Sequence, residues 1–470
     1  MRACAIALLL WIQFASSALA AQPNLLILCI DDLRPDLGCY GVKSVPTPHI
    51  DELASRGRVF TRHYVQAPTC GASRCAFLTG RYGPAGNNAL FELAKRRRQD
   101  QEAVPPSMPE YFRAQGYTTV SVGKISHHPG GRGGADWNDD DSLEMPGAWS
   151  RHLMPTGPWK HPRGAMHGLA NGEIRSGAKG SMPVFQSAPK ADDIFPDDLI
   201  AEEALAQLEQ LTRQETPFLL AVGLIRPHLP FGAPQAYLRQ NQDRPLDPIP
   251  HPAKPAWPST WHSSNELRQY QLWGRDPVQD AAFADEIRRH YQACVSYADA
   301  NVGRILAKLS ASPAARNTVV VLWGDHGCHL GEHAVWGKHT LFEESLRSPL
   351  IIATEGLAHP GKSTNAVVES IDVFPTLCEL TGLEVPTFVQ GTTLLPHLAE
   401  PTAPGHEAFA YSGGARTLRN DRYRLIVHKS GAVELFDHHS PALESRNIAD
   451  SHPQLVDQLK RELEQRKPAQ

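Results

Sequence analysis

The chain has 470 residues, is 41% hydrophobic and carries a formal net charge of −4. Such a chain buries a large core without needing disulfides to hold it together. The charge offers no overall attraction to nucleic acid or to an acidic polymer, so any pull on an anionic ligand has to be local.

Residues 1–20 begin with one Arg, continue as an apolar run from Ala5 to Ala15 and end in Ser-Ser-Ala-Leu-Ala. This is the pattern of a signal peptide, cut after Ala20 or Ala21. The run is shorter than the ~20 residues a transmembrane helix needs, and no later segment has that length. The expected location is the periplasm or the exterior, with no stable membrane span. Seven of the eight cysteines lie beyond this segment. An odd number without a repeated spacing argues against a disulfide framework, so at least one cysteine has another fate.

In chain order, four short apolar runs read as strands, each ending in charged or titratable residues. Asn24–Ile30 runs into Asp31-Asp32, and Thr118–Val122 into Gly123-Lys124-Ile125-Ser126-His127. Phe218–Leu224 runs into Ile225-Arg226-Pro227-His228, and Thr318–Trp323 into Gly324-Asp325-His326-Gly327. Near-continuous apolar strands belong to a parallel or mixed sheet covered on both faces. Asp197–Leu211 and Phe283–Leu309 read as covering helices, the second turning Tyr291, Val295, Val302, Ile305 and Leu309 inward.

Between these elements lie segments with two readings each. Lys95-Arg96-Arg97-Arg98 either grips an anionic polysaccharide or is a solvated loop or helix face. The Gly-rich stretches Gly130–Glu144 and His161–Gly180 read as pocket walls. Trp257, Trp261 and Trp273, in a Pro-rich insertion, either stack on sugars or pack their loop on the body. Pro396–Gly405 reads as a linker. Short strands near Ala408–Tyr411, Tyr423–Val427 and Val433–Phe436, then a helix Pro453–Arg466, form a small antiparallel subdomain. The boundaries are 1–20 for the leader, 21–400 for the catalytic domain and 401–470 for the C-terminal subdomain.

In an open α/β sheet, the active crevice lies off the carboxyl ends of the strands. Asp31, Asp32 and Asp325 would converge there and repel one another unless a cation sat between them. Oxygen-rich ligation with one His favours Ca²⁺ or Mg²⁺ over structural zinc. Lys124, His127, His228, Lys338 and Arg74 add positive charge and proton donors. Such a site suits sulfuryl or phosphoryl transfer, in which tetrahedral oxygens gain charge. Cys70 and Cys75, separated by Gly-Ala-Ser-Arg, have neither the spacing of a redox pair nor that of a zinc knuckle.

Cys70-Gly71-Ala72-Ser73-Arg74 with Leu78-Thr79-Gly80-Arg81 resembles the signature of the type I, formylglycine-dependent sulfatases. Asp31 to Gly41, Ser121 to Lys124, Arg226 to Phe231 and Gly324 to Lys338 are similar to the iduronate-2-sulfatase branch. The resemblance covers essentially the whole mature chain. It implies an alkaline-phosphatase-like α/β sandwich with a large, mostly parallel sheet, plus the small C-terminal sheet and helix.

The resemblance also assigns roles. Asp31, Asp32, Asp325, His326 and residue 70 would hold Ca²⁺. Cys70 would be oxidised by a formylglycine-generating maturation enzyme, and the hydrated aldehyde would attack sulfur and then expel sulfate. Arg74 would hold the aldehyde, His127 would take the second hydroxyl's proton, and Lys124 and Lys338 would neutralise sulfate oxygens. His228 would protonate the leaving oxygen. Arg226, His339 and Arg419 would contact the sugar. The implied activity is an exo-acting sulfatase on a sulfated oligosaccharide, with a 2-O-sulfated uronic acid as the expected substrate. A phosphonate monoester or phosphodiester hydrolase is the alternative. Ala72 stands where the commonest motif has Pro, which leaves the maturation route open. Arg226 stands where this branch usually has Lys, which keeps the charge and changes the geometry of the fork.

Overall fold

A computed structural model describes residues 22–129, 142–188, 190 and 193–466. The leader and most of the Gly/Asp-rich stretch from Gly130 lie outside the described residues.

Asn24–Ile30 is extended and wholly buried, and its side chains alternate between two cores. Leu26, Leu28 and Ile30 face one core, and Leu25, Ile27 and Cys29 face the other. A strand with both faces covered has no polar side, which is why its sequence reads as continuous hydrophobe. Phe218–Leu224 and Thr318–Gly324 pair in parallel on either side of it.

The eight-stranded sheet runs in the order Ser363–Glu369, Arg58–Tyr64, Leu350–Ala353, Thr318–Gly324, Asn24–Ile30, Phe218–Leu224, Thr118–Gly123, Arg151–Leu153. Leu350–Ala353 is antiparallel to both its neighbours, and the other pairings are parallel. Helices Ala281–Ser310, Pro196–Leu211 and Pro48–Ser55 cover one face through Tyr291, Val295, Ile305, Ile200, Leu208 and Leu53. Helices Cys70–Thr79, Met108–Ala114 and Val373–Leu380 cover the other, where Phe77 stacks on Trp323 at 4.0 Å. Each large aliphatic so buried contributes about 1.5–3 kcal/mol. The architecture is the expected alkaline-phosphatase-like sandwich.

A four-stranded antiparallel sheet, Ala408–Ser412, Ala415–Arg419, Tyr423–His428 and Val433–Asp437, follows. Helix Pro453–Gln465 covers one face with Val456, Leu459 and Leu463, while the other packs Ile426 and Phe436 against Tyr64 and Phe342. Pro396–Gly405 is not a free linker. It includes part of helix Leu395–Ala399, and buried Arg58 donates to the carbonyls of His397 and Leu398 at 2.9 and 3.1 Å. Trp257 packs its loop on the body, donating from Nε1 to Glu434 at 2.8 Å. No helix among the described residues is long and apolar enough to cross a membrane. All seven described cysteines are free.

Candidate active site

The site begins where Asn24–Ile30 ends. Neighbouring side chains of an extended strand point to opposite faces. Asp32 breaks that alternation by adopting φ 57°, a left-handed conformation that Asp tolerates better than most residues. Tyr291 Oη donates to the Asp32 carbonyl at 2.9 Å and accepts from Arg34 N at 2.9 Å, which locks the turn. Both carboxylates thereby enter one crevice, where ligand atoms of Asp31, Asp32, Cys70 and His228 lie within 4.8 Å of one another.

Three buried carboxylates face three buried cations there. Arg74 donates from Nη2 to Asp31 Oδ1 at 3.0 Å and from Nε to Asp325 Oδ2 at 2.9 Å. Lys124 Nζ pairs with Asp31, and Lys338 Nζ lies 3.0 Å from both Asp32 oxygens. Asp325 Oδ1 accepts from Asp32 N at 2.9 Å. Burial works to raise the Asp31 carboxyl, but the charges of Lys124 and Arg74 outweigh it and hold it well below its usual range. At Asp32 and Asp325 burial wins over Lys338 and Arg74, and both carboxyls are pushed up.

This donor set fits a hard divalent cation. Asp31, Cys70, Asp325 and His326 also offer ligand atoms within 4.8 Å of one another. His326 Nδ1 lies 2.9 Å from the Gly327 carbonyl, which only accepts, so Nδ1 carries the proton. The lone pair at Nε2 then faces Cys70 Sγ at 3.2 Å and Asp32 Oδ1 at 3.4 Å. Carboxylates pushed towards protonation by burial are stabilised as anions by an adjacent cation. Oxygen donors with one imidazole suit Ca²⁺, and the cluster matches a calcium-binding, formylglycine-type active site.

Cys70 opens helix Cys70–Thr79, whose first-turn amides favour an anion at its N-terminus. Asn87 Oδ1 accepts from Gly71 N at 3.0 Å and from Thr69 Oγ1 at 2.9 Å, fixing the helix start. A Cβ at Gly71 would come within 2.3 Å of the Asn87 backbone, so only Gly fits. Lys338 Nζ is 3.6 Å from Cys70 Sγ. Burial and the neighbouring Asp31 push the thiol well above its ordinary pKa, so without a cation beside it Cys70 as encoded is held as a neutral thiol.

His228 is delivered by the segment after Phe218–Leu224. Asp197, in the first turn of helix Pro196–Leu211, accepts from Ile225 N at 2.6 Å and Arg226 N at 3.2 Å. His228 Nδ1 donates to the Leu229 carbonyl at 2.6 Å, leaving Nε2 towards the crevice. Burial and Lys338 hold this imidazole neutral, well below its usual pKa. Burial and Lys124 do the same for His127, whose ring lies 4.5 Å from that of His128. A neutral imidazole is the form a base requires.

Two expected sugar contacts stand apart from this cluster. Arg226 is wholly buried, donating from Nε to the Gly232 carbonyl at 3.0 Å and from Nη1 and Nη2 to the carbonyls of His228 and Gly168. Its fork braces the loop and does not face the crevice. Arg419 is buried beside Tyr64, with Nε 3.7 Å from Glu343 Oε2 and Nη1 on the Asn420 carbonyl. His339 is exposed next to Lys338, its amide donating to the Pro68 carbonyl at 3.2 Å.

Two charged residues that the sequence did not single out stand near His228. Glu266 lies 3.4 Å from His228 Nε2 and 3.4 Å from Lys338 Nζ. Half-buried Arg175 sits over the Tyr270 ring at 5.1 Å. Tyr270 Oη is 3.5 Å from His167 Nδ1, and the His167 ring is 5.6 Å from that of His228. Both charges come from long loops without periodicity, which carry no sequence signal that would single them out.

Residues 23–383 match the family described as Sulfatase, and residues 331–469 match N-sulphoglucosamine sulphohydrolase, C-terminal. The chain is 31% identical over 443 residues to iduronate 2-sulfatase of Homo sapiens, covering 83% of this chain and 78% of that one. Among solved structures it resembles BT4656 in complex with its substrate D-glucosamine-2-N,6-O-disulfate. That TM-score is 0.70 at 21% identity, over 95% of this chain and 99% of the other. It also resembles phosphonate monoester hydrolase SpPMH from Silicibacter pomeroyi, with TM-score 0.73 at 24% identity, over 94% and 95%. At these identities the two structures speak for the fold alone.

Proposed function

The chain belongs to the sulfatase family, hydrolases of sulfuric esters, and from that premise we propose that it acts exo on a sulfated sugar, with a 2-O-sulfated uronic acid as substrate. The observation that carries this reading is Cys70 at a helix N-terminus, with Lys338 Nζ at 3.6 Å and His326 Nε2 at 3.2 Å. Likeness to an iduronate 2-sulfatase over most of both chains supports the uronate. Burial supports the exo mode: Cys70, Lys124, His228 and Lys338 are all buried, which favours a sulfate carried on a terminal sugar.

Calcium, held by Asp31, Asp32, Asp325 and His326, would supply Lewis acidity towards the nucleophile and a sulfate oxygen. Formylglycine made from Cys70 by a maturation enzyme would supply a nucleophile with two hydroxyls, so that sulfate leaves by elimination. The remaining work falls to the chain's own side chains. Lys124, Lys338 and the first-turn amides bind the sulfate oxygens, and Arg74 holds residue 70 and its carboxylates in register. His127, neutral, takes a proton from residue 70. His228 Nε2 takes up a proton as the anionic ester enters and passes it to the leaving oxygen. Arg175, rather than Arg226, would meet the uronate carboxylate. The leader would deliver the enzyme to the periplasm or the exterior.

The test is a panel of defined sulfated oligosaccharides, run beside p-nitrophenyl sulfate, a phosphonate monoester and a phosphodiester. Release of sulfate from a non-reducing terminal 2-O-sulfated uronate, ahead of internal and neutral-sugar sulfates, is expected. Faster turnover of the phosphodiester than of any sulfate would overturn the reading.

A further inference from the structure

Resting on the sugar-sulfatase reading above, we infer that Glu266 is a specificity determinant that accepts a hydrogen bond from a free hydroxyl on the carbon next to the sulfated one. Unlike Asp31, Asp32 and Asp325, which share the cation site, its carboxylate stands outside the metal-ligand clusters of a pocket built for an anion. Lys124, Lys338, Arg74 and the helix amides all offer positive charge or N–H groups, and a carboxylate among them repels sulfate. Such an acid is tolerated where it faces a part of the substrate other than the sulfate.

The geometry says which part. Oε1 lies 3.4 Å from His228 Nε2, the atom assigned to the leaving oxygen, and Oε2 lies 3.4 Å from Lys338 Nζ, assigned to the sulfate. At these distances the carboxylate pairs with the Lys338 ammonium and neighbours the His228 imidazole with lone pairs to spare. An acceptor one hydrogen-bond length beyond the leaving oxygen meets the neighbouring ring hydroxyl. The mount is firm: the Glu266 carbonyl accepts from Gln269 N at 3.1 Å, and Leu267 and Tyr270 beside it are buried. The side chain is 24% exposed, open enough to touch a ligand and enclosed enough for the bond to count.

The substrate class is therefore a sugar sulfate with an unmodified vicinal hydroxyl. A deoxy carbon would leave the carboxylate without its donor, and a vicinal second sulfate would set two anions face to face. Sites built to bond a hydroxyl reject analogues lacking it strongly, because the site's own polar group is left unpaired.

The experiment compares kcat/KM for one terminal sugar 2-O-sulfate with its 3-deoxy and 3-O-sulfated analogues, in the wild type, Glu266→Gln and Glu266→Ala. The wild type is expected to favour the free hydroxyl at least tenfold over both analogues. In Glu266→Ala, the ratio against the deoxy analogue falls towards one. In Glu266→Gln, whose amide oxygen still accepts, that ratio largely survives while the disulfate becomes at least tenfold better relative to the wild type. If Glu266→Ala does not fold, the disulfate ratio of Glu266→Gln decides. Ratios unchanged in the folded variants, or a wild type indifferent to all three sulfates, would overturn the inference and leave the sulfatase reading standing. Failure of the wild type on every sugar sulfate would instead sink the reading beneath it.

Discussion

The Nε2 atom of His326 lies 3.2 Å from the Sγ of Cys70 with its lone pair turned towards it, because Nδ1 spends its proton on the Gly327 carbonyl. The nucleophile position and the cation site therefore share one wall. Chelating calcium should abolish turnover while the fold persists, since the two apolar cores on either side of the sheet do not depend on the ion. Asp325→Asn should behave likewise. Activity and circular dichroism on the same sample check this. Full turnover in protein shown by elemental analysis to be calcium-free, or better rescue by zinc than by calcium, would contradict it.

Cys75 is a packing residue. It is fully buried, and burial pushes its thiol up to about 12. Cys75→Ala should retain most activity and lose about 1–2 kcal/mol of stability from the vacated volume. Loss of more than tenfold in kcat/KM with an unchanged melting curve would give Cys75 a chemical role that its surroundings do not suggest.

Arg226→Ala should act on stability rather than on selectivity. Removing the guanidinium leaves the carbonyls of Gly232, His228 and Gly168 without their donor, a loss of about 2–4 kcal/mol. Lysine cannot reproduce the fork, so Arg226→Lys should recover little. The uronate-to-neutral activity ratio of whatever enzyme remains folded should match the wild type. A selective collapse on uronates would return Arg226 to the substrate pocket.

The His406 cluster should make the fold sensitive to alkali. Its Nδ1 faces the Glu407 carbonyl at 3.0 Å and its Nε2 the Asp372 carboxylate at 2.8 Å, so both nitrogens donate and the ring is an imidazolium. Burial opposes that charge, but Asp372 and Glu369 outweigh it and raise the group to about 9. Burial and Asp372 raise Glu369 to about 7. Both folded values lie above the unfolded ones, so each group stabilises the fold fully below its unfolded pKa. Each contribution is lost as pH rises, through about 7 for Glu369 and about 9 for His406. At about 1.4 kcal/mol per pKa unit, each shift amounts to a few kcal/mol at most. The melting temperature should fall between pH 6.5 and 9 in the wild type and more shallowly in His406→Gln. Equal slopes would rule the cluster out.

The four strand ends that carry the chemistry were legible because strands buried on both faces advertise themselves as apolar runs, and a crevice off their carboxyl ends follows from topology. Arg58–Tyr64 (RVFTRHY) and Ser363–Glu369 (STNAVVE) were not legible, since part of each is polar and only partly buried or exposed. Arg226 shows the limit of motif reading. Its position after a strand was visible, but the direction of its guanidinium depends on carbonyls from Gly168 and Gly232. Glu266 and Arg175 reach the site from loops whose path no periodicity encodes. The stretch Pro396–Gly405 has a linker's composition, yet Arg58 ties its start to the body through backbone carbonyls that carry no trace in the sequence.

The fate of Cys70 bears most directly on how the site works. Its buried, unionised thiol is a poor nucleophile, and a sulfated thiol would have no second hydroxyl from which to eliminate sulfate. Peptide mass spectrometry across residues 67–81 of active enzyme, with turnover measured on the same sample, decides the matter. The expected result is that active protein carries residue 70 with its sulfur replaced by oxygen, and that Cys70→Ser turns over at most once. A fully active sample in which residue 70 is only a free thiol, or is joined to Cys75 in a disulfide, would contradict it.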